Sequence, residues 1–157
     1  MVGNRAEQCP KLVKRVVSEG HIIGNHSYAH NNFMSLFSKK NLKADIAQSQ
    51  VVLEKLSGRK VPFFRPPIGY TNPSYAKVLK NLRLTNVGWT VRSYDSVYKE
   101  PKKLIERLLT KIAPGSIVLL HDNLNVTVDG LSDFIDQATA NGIKFANGET
   151  IKTIQHA

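Results

Sequence analysis

Five side chains in this sequence have types and spacings that suit chemistry. His26 and His30 lie four positions apart in Gly24-Asn25-His26-Ser27-Tyr28-Ala29-His30, a separation that one helical turn brings onto the same face. Neutral imidazole is a common zinc ligand, and two histidines with a carboxylate leave a coordination position open for water and substrate. The pair is read as two ligands of a catalytic divalent metal, with zinc the expected ion, although two loop histidines in a chain with five also arise by accident. Phe63-Phe64-Arg65-Pro66-Pro67-Ile68-Gly69-Tyr70 joins an apolar run to an arginine followed by two prolines, whose locked φ stiffens the loop. Such a loop fits a preset guanidinium facing a carboxylate, with backbone N–H groups near Ile68 open to a developing oxyanion. It equally fits a proline turn with a solvated arginine. Leu119-Leu120-His121-Asp122 ends an apolar run on a histidine, where a general acid is both rigid and accessible. A surface histidine at a strand end is the plainer alternative. Trp89 to Asp95 adds an aromatic wall and a carboxylate, though a single Trp is more often core packing.

The elements that must position these residues alternate between helix-like stretches and short apolar runs, the order of an α/β fold with parallel strands and outer helices. Helices are expected over 5–19, with Leu12, Val13, Val16 and Val17 at helical spacing and Gly20 as a left-handed cap. Another is expected after Ser38, with Leu42, Ile46, Leu53 and Leu56 on one face and a stop at Gly58. Asn72-Pro73 and Pro101 open two more, and the last runs from Thr127 to Asn141. Strands are expected at His21 to Ile23, Val61 to Arg65, Leu84 to Trp89 and Ser116 to Leu120, the last one buried, with a short strand near Ile143 to Phe145 before a final helical turn. Such folds place active residues at the C-terminal ends of strands, and His26, Arg65, Asp95 and His121 each follow a proposed strand. One rim can hold them all.

A chain of 157 residues fits a single domain that buries its own core. The 41% hydrophobic and 22% charged composition is ordinary for globular proteins, and no apolar run approaches a membrane span. The lone Cys9 excludes an intramolecular disulfide framework. A net charge of +10 is spread over most segments. Without an aromatic-and-basic platform it reads as a solvated surface, so no nucleic-acid partner is expected.

The order of these motifs resembles the polysaccharide deacetylases of carbohydrate esterase family 4, and the resemblance covers nearly the whole chain. His26-Ser27-Tyr28-Ala29-His30 matches that family's His-Ser/Thr-x-x-His metal motif, and Arg65-Pro66-Pro67-Ile68-Gly69 looks like its arginine-proline loop. Asp95 matches the aspartate of the next motif, and Val118-Leu119-Leu120-His121 resembles the Leu-x-Leu-His motif. The resemblance implies a distorted (β/α) barrel, incomplete here, and a metal-dependent removal of acetyl groups from N-acetylated or O-acetylated polysaccharide. It implies a divalent metal, expected to be zinc, on His26 and His30; His121 as catalytic acid; Asp95 as the group that orients it; and Arg65 as a further catalytic residue. Ile68, Gly69, Tyr70, Trp89 and Leu120 are implied on the substrate side, the last two enclosing the acetyl methyl.

The family's Thr-Phe-Asp-Asp motif, which supplies the base and the third metal ligand, has no counterpart in these residues. The expectation is an N-terminally truncated single domain, short by on the order of 35 residues, one strand-helix-strand unit. Val2-Gly3 is read as the tail of a strand. The longer parent is expected to be exported or associated with the cell envelope, and the raw sheet edge to favour a homo-oligomer. A non-catalytic carbohydrate-binding remnant of the same fold is the alternative. Ile68 in place of the family's aromatic residue, Arg92 where an acidic residue is frequent, and Ser96 after Asp95 point to altered sugar contacts.

Overall fold

A computed structural model describes residues 1–146 together with 148 and 151. The chain divides into two compact units, Met1–Gly88 and Trp89 onward. Both are built of helices packed beside short parallel strand pairs.

The first unit opens with α1 (Gly3–Gln8) and α2 (Pro10–Ser18). The single helix expected over 5–19 is thus broken at Cys9, because Pro10 has no N–H to continue the ladder and instead starts a new helix at its first position. Val13 is buried as expected but Leu12 faces solvent. Gly20 takes the left-handed conformation and its N–H donates to the Val17 carbonyl. Gly3 lies in α1 instead of ending a strand. A Cβ there would sit 2.9 Å from Tyr28 Cδ2 and 3.0 Å from Ser49 Oγ, so the missing side chain lets α1 approach its neighbours.

The long helix α3 (Lys39–Ser57) begins at Ser38, whose side chain accepts from the Asn41 N–H, and stops at left-handed Gly58. It buries Leu42, Ile46 and Leu53, and so links two apolar clusters: Leu42 and Ile46 join Phe64, Tyr75 and Leu79, while Leu53 joins Val13, Ile23 and Val61. In α4 (Pro73–Asn81) the Asn72 side chain accepts from the Ser74 and Tyr75 N–H groups. Strand β1 (Phe63–Phe64) pairs in parallel with β2 (Thr85–Asn86), Phe63 beside Thr85 and Phe64 beside Asn86. On its other side β1 meets a single parallel bridge at Asn25. The expected strand at His21 to Ile23 forms no ladder; pairing is delayed to Asn25, whose N–H donates to the Phe63 carbonyl while its own carbonyl accepts from the Arg65 N–H.

In the second unit β3 (Val91–Arg92) pairs in parallel with β4 (Val118–Leu119). The strand leading to Asp95 is therefore 91–92, which the apolar pattern did not mark because Arg92 and its polar neighbours break the run. Helices α5 (Pro101–Lys111) and α6 (Asn125–Ala140) pack on each other. Leu104, Ile105 and Leu108 meet Val126, Phe134 and Ala138. Strand β4 is half-buried, not fully buried as expected. Ile143 to Phe145 is irregular rather than a strand, and the final helical turn falls largely outside the described residues.

Candidate functional site

His26 follows the Asn25 bridge, and the segment that carries it to His30 is not helical. Ser27 and His30 both have positive φ, at 64° and 51°, a region that side chains with a Cβ rarely occupy without local support. That support is visible. The buried Asn25 side chain accepts from the Ser27 N–H at 3.0 Å and donates to the Ile46 carbonyl and Gln50 Oε1. Ser27 Oγ accepts from the His30 N–H at 2.8 Å, and the Asp45 carboxylate accepts from the Tyr28 and Ala29 N–H groups. The rings of His26 and His30 end with centroids 4.7 Å apart at 69° to each other. The pairing expected from a helical turn is produced by a looped backbone instead.

His26 Nδ1 lies 2.7 Å from the Arg65 carbonyl. A carbonyl only accepts, so Nδ1 carries the hydrogen and Nε2 is left with its lone pair. Burial pushes this imidazole down to about 4, against the upward pull of the Arg65 carbonyl, with His30, the N-terminus and the Arg65 guanidinium adding to the fall. The ring is neutral at ordinary pH, as a metal ligand must be.

Arg65 follows β1 directly. Its Nε donates to the Val87 carbonyl at 3.0 Å and one Nη to the Gly88 carbonyl at 2.9 Å. Two donors expected to face a carboxylate therefore fasten the loop after β2. Pro67–Gly69 forms a short 3-10 turn in which Ile68 and Gly69 have positive φ, 52° and 75°. The Gly69 N–H is used within the turn, donating to the Pro66 carbonyl. Ile68 and Tyr70 face solvent.

In the second unit, Asp95 and His121 are joined. Asp95 Oδ1 is 2.8 Å from His121 Nδ1, while Oδ2 accepts from the His121 backbone N–H at 2.6 Å and from Thr127 Oγ1 at 2.9 Å. The carboxylate side chain is 1% exposed and the imidazole 50% exposed. Burial alone would push the Asp95 carboxyl up, but the His121 ring and backbone and the Thr127 hydroxyl together hold it below the usual carboxylate range. An anionic Asp95 accepts the Nδ1 hydrogen, so His121 presents Nε2 outward. Leu120 packs against the α5–α6 cluster and helps line a small apolar cavity with Leu104, Leu108 and Phe134. Trp89 is half-buried at the start of this unit.

The expected site residues thus form a His26–His30–Arg65 group in the first unit and an Asp95–His121 group in the second. Thr127, Asn25 and Asp45 were not foreseen. Asn25 immediately precedes the histidine motif and was within reach of a local reading; Thr127 and Asp45 lie on helices and nothing nearby in sequence marks them. The donors suit zinc in kind: two close imidazoles, one with its tautomer already set. A catalytic zinc takes three protein ligands, and among the described residues no group of three His, Cys, Asp or Glu side chains gathers. His26 and His30 would supply two of such a set.

The chain is similar to known proteins. The family model for polysaccharide deacetylases matches residues 1–87. A peptidoglycan-N-acetylglucosamine deacetylase of Bacillus cereus is 30% identical over 149 residues, covering 92% of this chain and 54% of the relative. A chitooligosaccharide deacetylase of Azorhizobium caulinodans is 32% identical over 77% of this chain and 58% of its own. Among solved structures, a CE4 family pseudoenzyme from Bacillus anthracis superposes with a TM-score of 0.88 at 28% identity, over 94% of this chain and 52% of that one. The chain therefore spans about half the length of these relatives. With the family model covering more than half of its residues and a relative matched along nearly all of it, the chain belongs to the polysaccharide deacetylase family.

Proposed function

We propose that this chain carries metal-ligand and proton-donor residues of a hydrolase that removes acetyl groups from N-acetylated or O-acetylated polysaccharide. The observation that carries this reading is the buried Asp95 carboxylate fastened to the half-exposed His121 ring. A histidine oriented in this way is a general acid, because its outward Nε2 can deliver a proton while the carboxylate stabilises the charged ring. An amine leaves poorly as an anion. His121 hands a proton from Nε2 to the departing amide nitrogen, and Asp95, itself anchored by Thr127, keeps the ring in the required tautomer. His26 and His30 would hold the divalent ion, zinc by donor type, which when bound supplies a Lewis acid for the acetyl carbonyl. Arg65 acts by holding the loop after β2. Ile68, Gly69 and Tyr70 in the first unit and, separately, Trp89 and Leu120 in the second are the proposed sugar contacts, supported for Ile68 and Tyr70 by their exposure. The parent fold is proposed to be the distorted (β/α) barrel of the family. The relatives named for peptidoglycan and chitooligosaccharide favour an N-acetylglucosamine-type polymer.

A second reading, a non-catalytic carbohydrate-binding protein, is favoured by the two-donor histidine group among the described residues and by the relative described as a pseudoenzyme. Acetate release from N-acetylglucosamine oligomers and from acetylated xylan, with zinc supplied, separates the two. Release that His121→Asn abolishes supports the hydrolase. Oligomer binding without release overturns it in favour of the second reading.

A further inference from the structure

Next to Asp95 in the second unit stands a group that the proton-donor chemistry does not use. Tyr94 has a φ of 60° and is 42% exposed, and its ring is flanked by two cations. The Arg92 guanidinium lies 4.9 Å from the ring centroid and that of Arg107 4.7 Å. Arg107 is anchored: its Nε donates to the Ser93 carbonyl and one Nη to the Arg92 carbonyl, both at 3.2 Å. Arg92 is exposed on β3, and its side chain makes no hydrogen bond among the described residues. Neither guanidinium has an ion-pair partner there. Asp95, the carboxylate beside them in sequence, is already filled by His121 and Thr127.

Two like charges drawn to one ring repel each other, and the aromatic face offsets only part of that repulsion. An anion on the open Arg92 donors would relieve the rest. The planar guanidinium fork matches a carboxylate in particular, and here the Arg92 fork lies over an aromatic ring while its donors stay open.

We infer that Arg92, Tyr94 and Arg107 form a subsite for a carboxylate carried by the polysaccharide. The inference rests on the deacetylase-family reading of the substrate as a glycan and narrows it to an acidic one. The carboxylate can come from a uronic acid or from a lactyl ether on the sugar ring. Arg92 reads the charge directly, Tyr94 orients that fork, and Arg107 fixes the backbone of residues 92 and 93.

Binding distinguishes this subsite from the catalytic reading because it needs no turnover. The full chain is titrated calorimetrically with three probes: a neutral N-acetylglucosamine oligomer, an alternating N-acetylglucosamine and N-acetylmuramic acid oligomer, and an acetylated glucuronoxylan oligomer. At least one acidic probe is expected to bind more tightly than the neutral one. Arg92→Gln should lower that preference roughly ten- to a hundredfold, the weight of a charged hydrogen-bonded contact. Arg92→Lys, which keeps the charge and loses the fork, should recover part of it. Which acidic probe responds identifies the source of the carboxylate. Equal affinity for all three probes, or a preference that Arg92→Gln leaves intact, overturns the subsite even if acetate is released. An Arg92-dependent preference without acetate release upholds the subsite and counts against the hydrolase alone.

Discussion

In the first unit the His26 ring rests on a backbone carbonyl, and in the second the His121 ring rests on a buried carboxylate. Both contacts engage Nδ1 and not Nε2, yet they suit opposite tasks. Burial outweighs the upward pull of the Arg65 carbonyl and holds His26 uncharged down to about 4. Its lone pair is then available to a metal. The buried carboxylate behind His121 instead fixes the orientation of its ring, which suits the proposed proton donor. The support differs too. The His26 loop is held by strained backbone and side-chain-to-backbone hydrogen bonds, whereas His121 hangs on a single carboxylate with three donors. The two proposed roles, ligand and acid, thus rest on what sits behind the same kind of ring.

The sharpest way to break this contrast is to remove the carboxylate. Asp95→Ala leaves the Thr127 hydroxyl and the His121 N–H without their acceptor, and should cost about 2–4 kcal/mol in urea unfolding. A loss under about 1 kcal/mol would mean that Asp95 does not hold the second unit as described. The next largest effect is on metal affinity. His26→Ala should weaken zinc binding roughly a hundredfold or more, since even outer-shell changes reach that range, while His121→Ala should change it by less than about threefold. Equal losses in the two variants would erase the distinction between ligand and acid.

Acid titration tests the same contrast through stability. In the unfolded chain His26 takes a proton near its ordinary value of 6.5, and in the fold only near about 4. Between those values the unfolded state binds more protons, so the metal-free protein should lose stability as pH falls through that window. His26→Asn should flatten the slope of melting temperature against pH there. Asp95 acts with the same sign but at lower pH: its depressed folded value makes its contribution complete above its unfolded value of about 3.9 and lost as pH falls further. The smallest effect is expected from Thr127→Val, about 1 kcal/mol, with a modest fall in turnover if Thr127 serves only to steady Asp95.

Much of the scaffold was legible before any tertiary information. The Ser38 and Gly58 boundaries of α3, the Asn72-Pro73 start of α4, the Pro101 start of α5 and the inward faces of Leu42, Ile46, Leu104 and Leu108 all follow from local rules. Caps and helical periodicity involve residues within one or two turns, so their signal survives in a single sequence. Strands fared less well. At Ile23 an apolar run met no ladder, and at Arg92 a ladder formed without an apolar run, because pairing is decided by a distant partner.

For the site, the residue types and their order were enough to name the histidines, the arginine loop and Asp95, and with them the family. How each one is held depended on contacts across 39 residues for His26, 26 for His121 and 32 for Thr127. No spacing rule reaches so far. The identity of a hydrogen-bonding group is written in the chain, but its partner is chosen by the fold, and the partner sets tautomer, charge and therefore role.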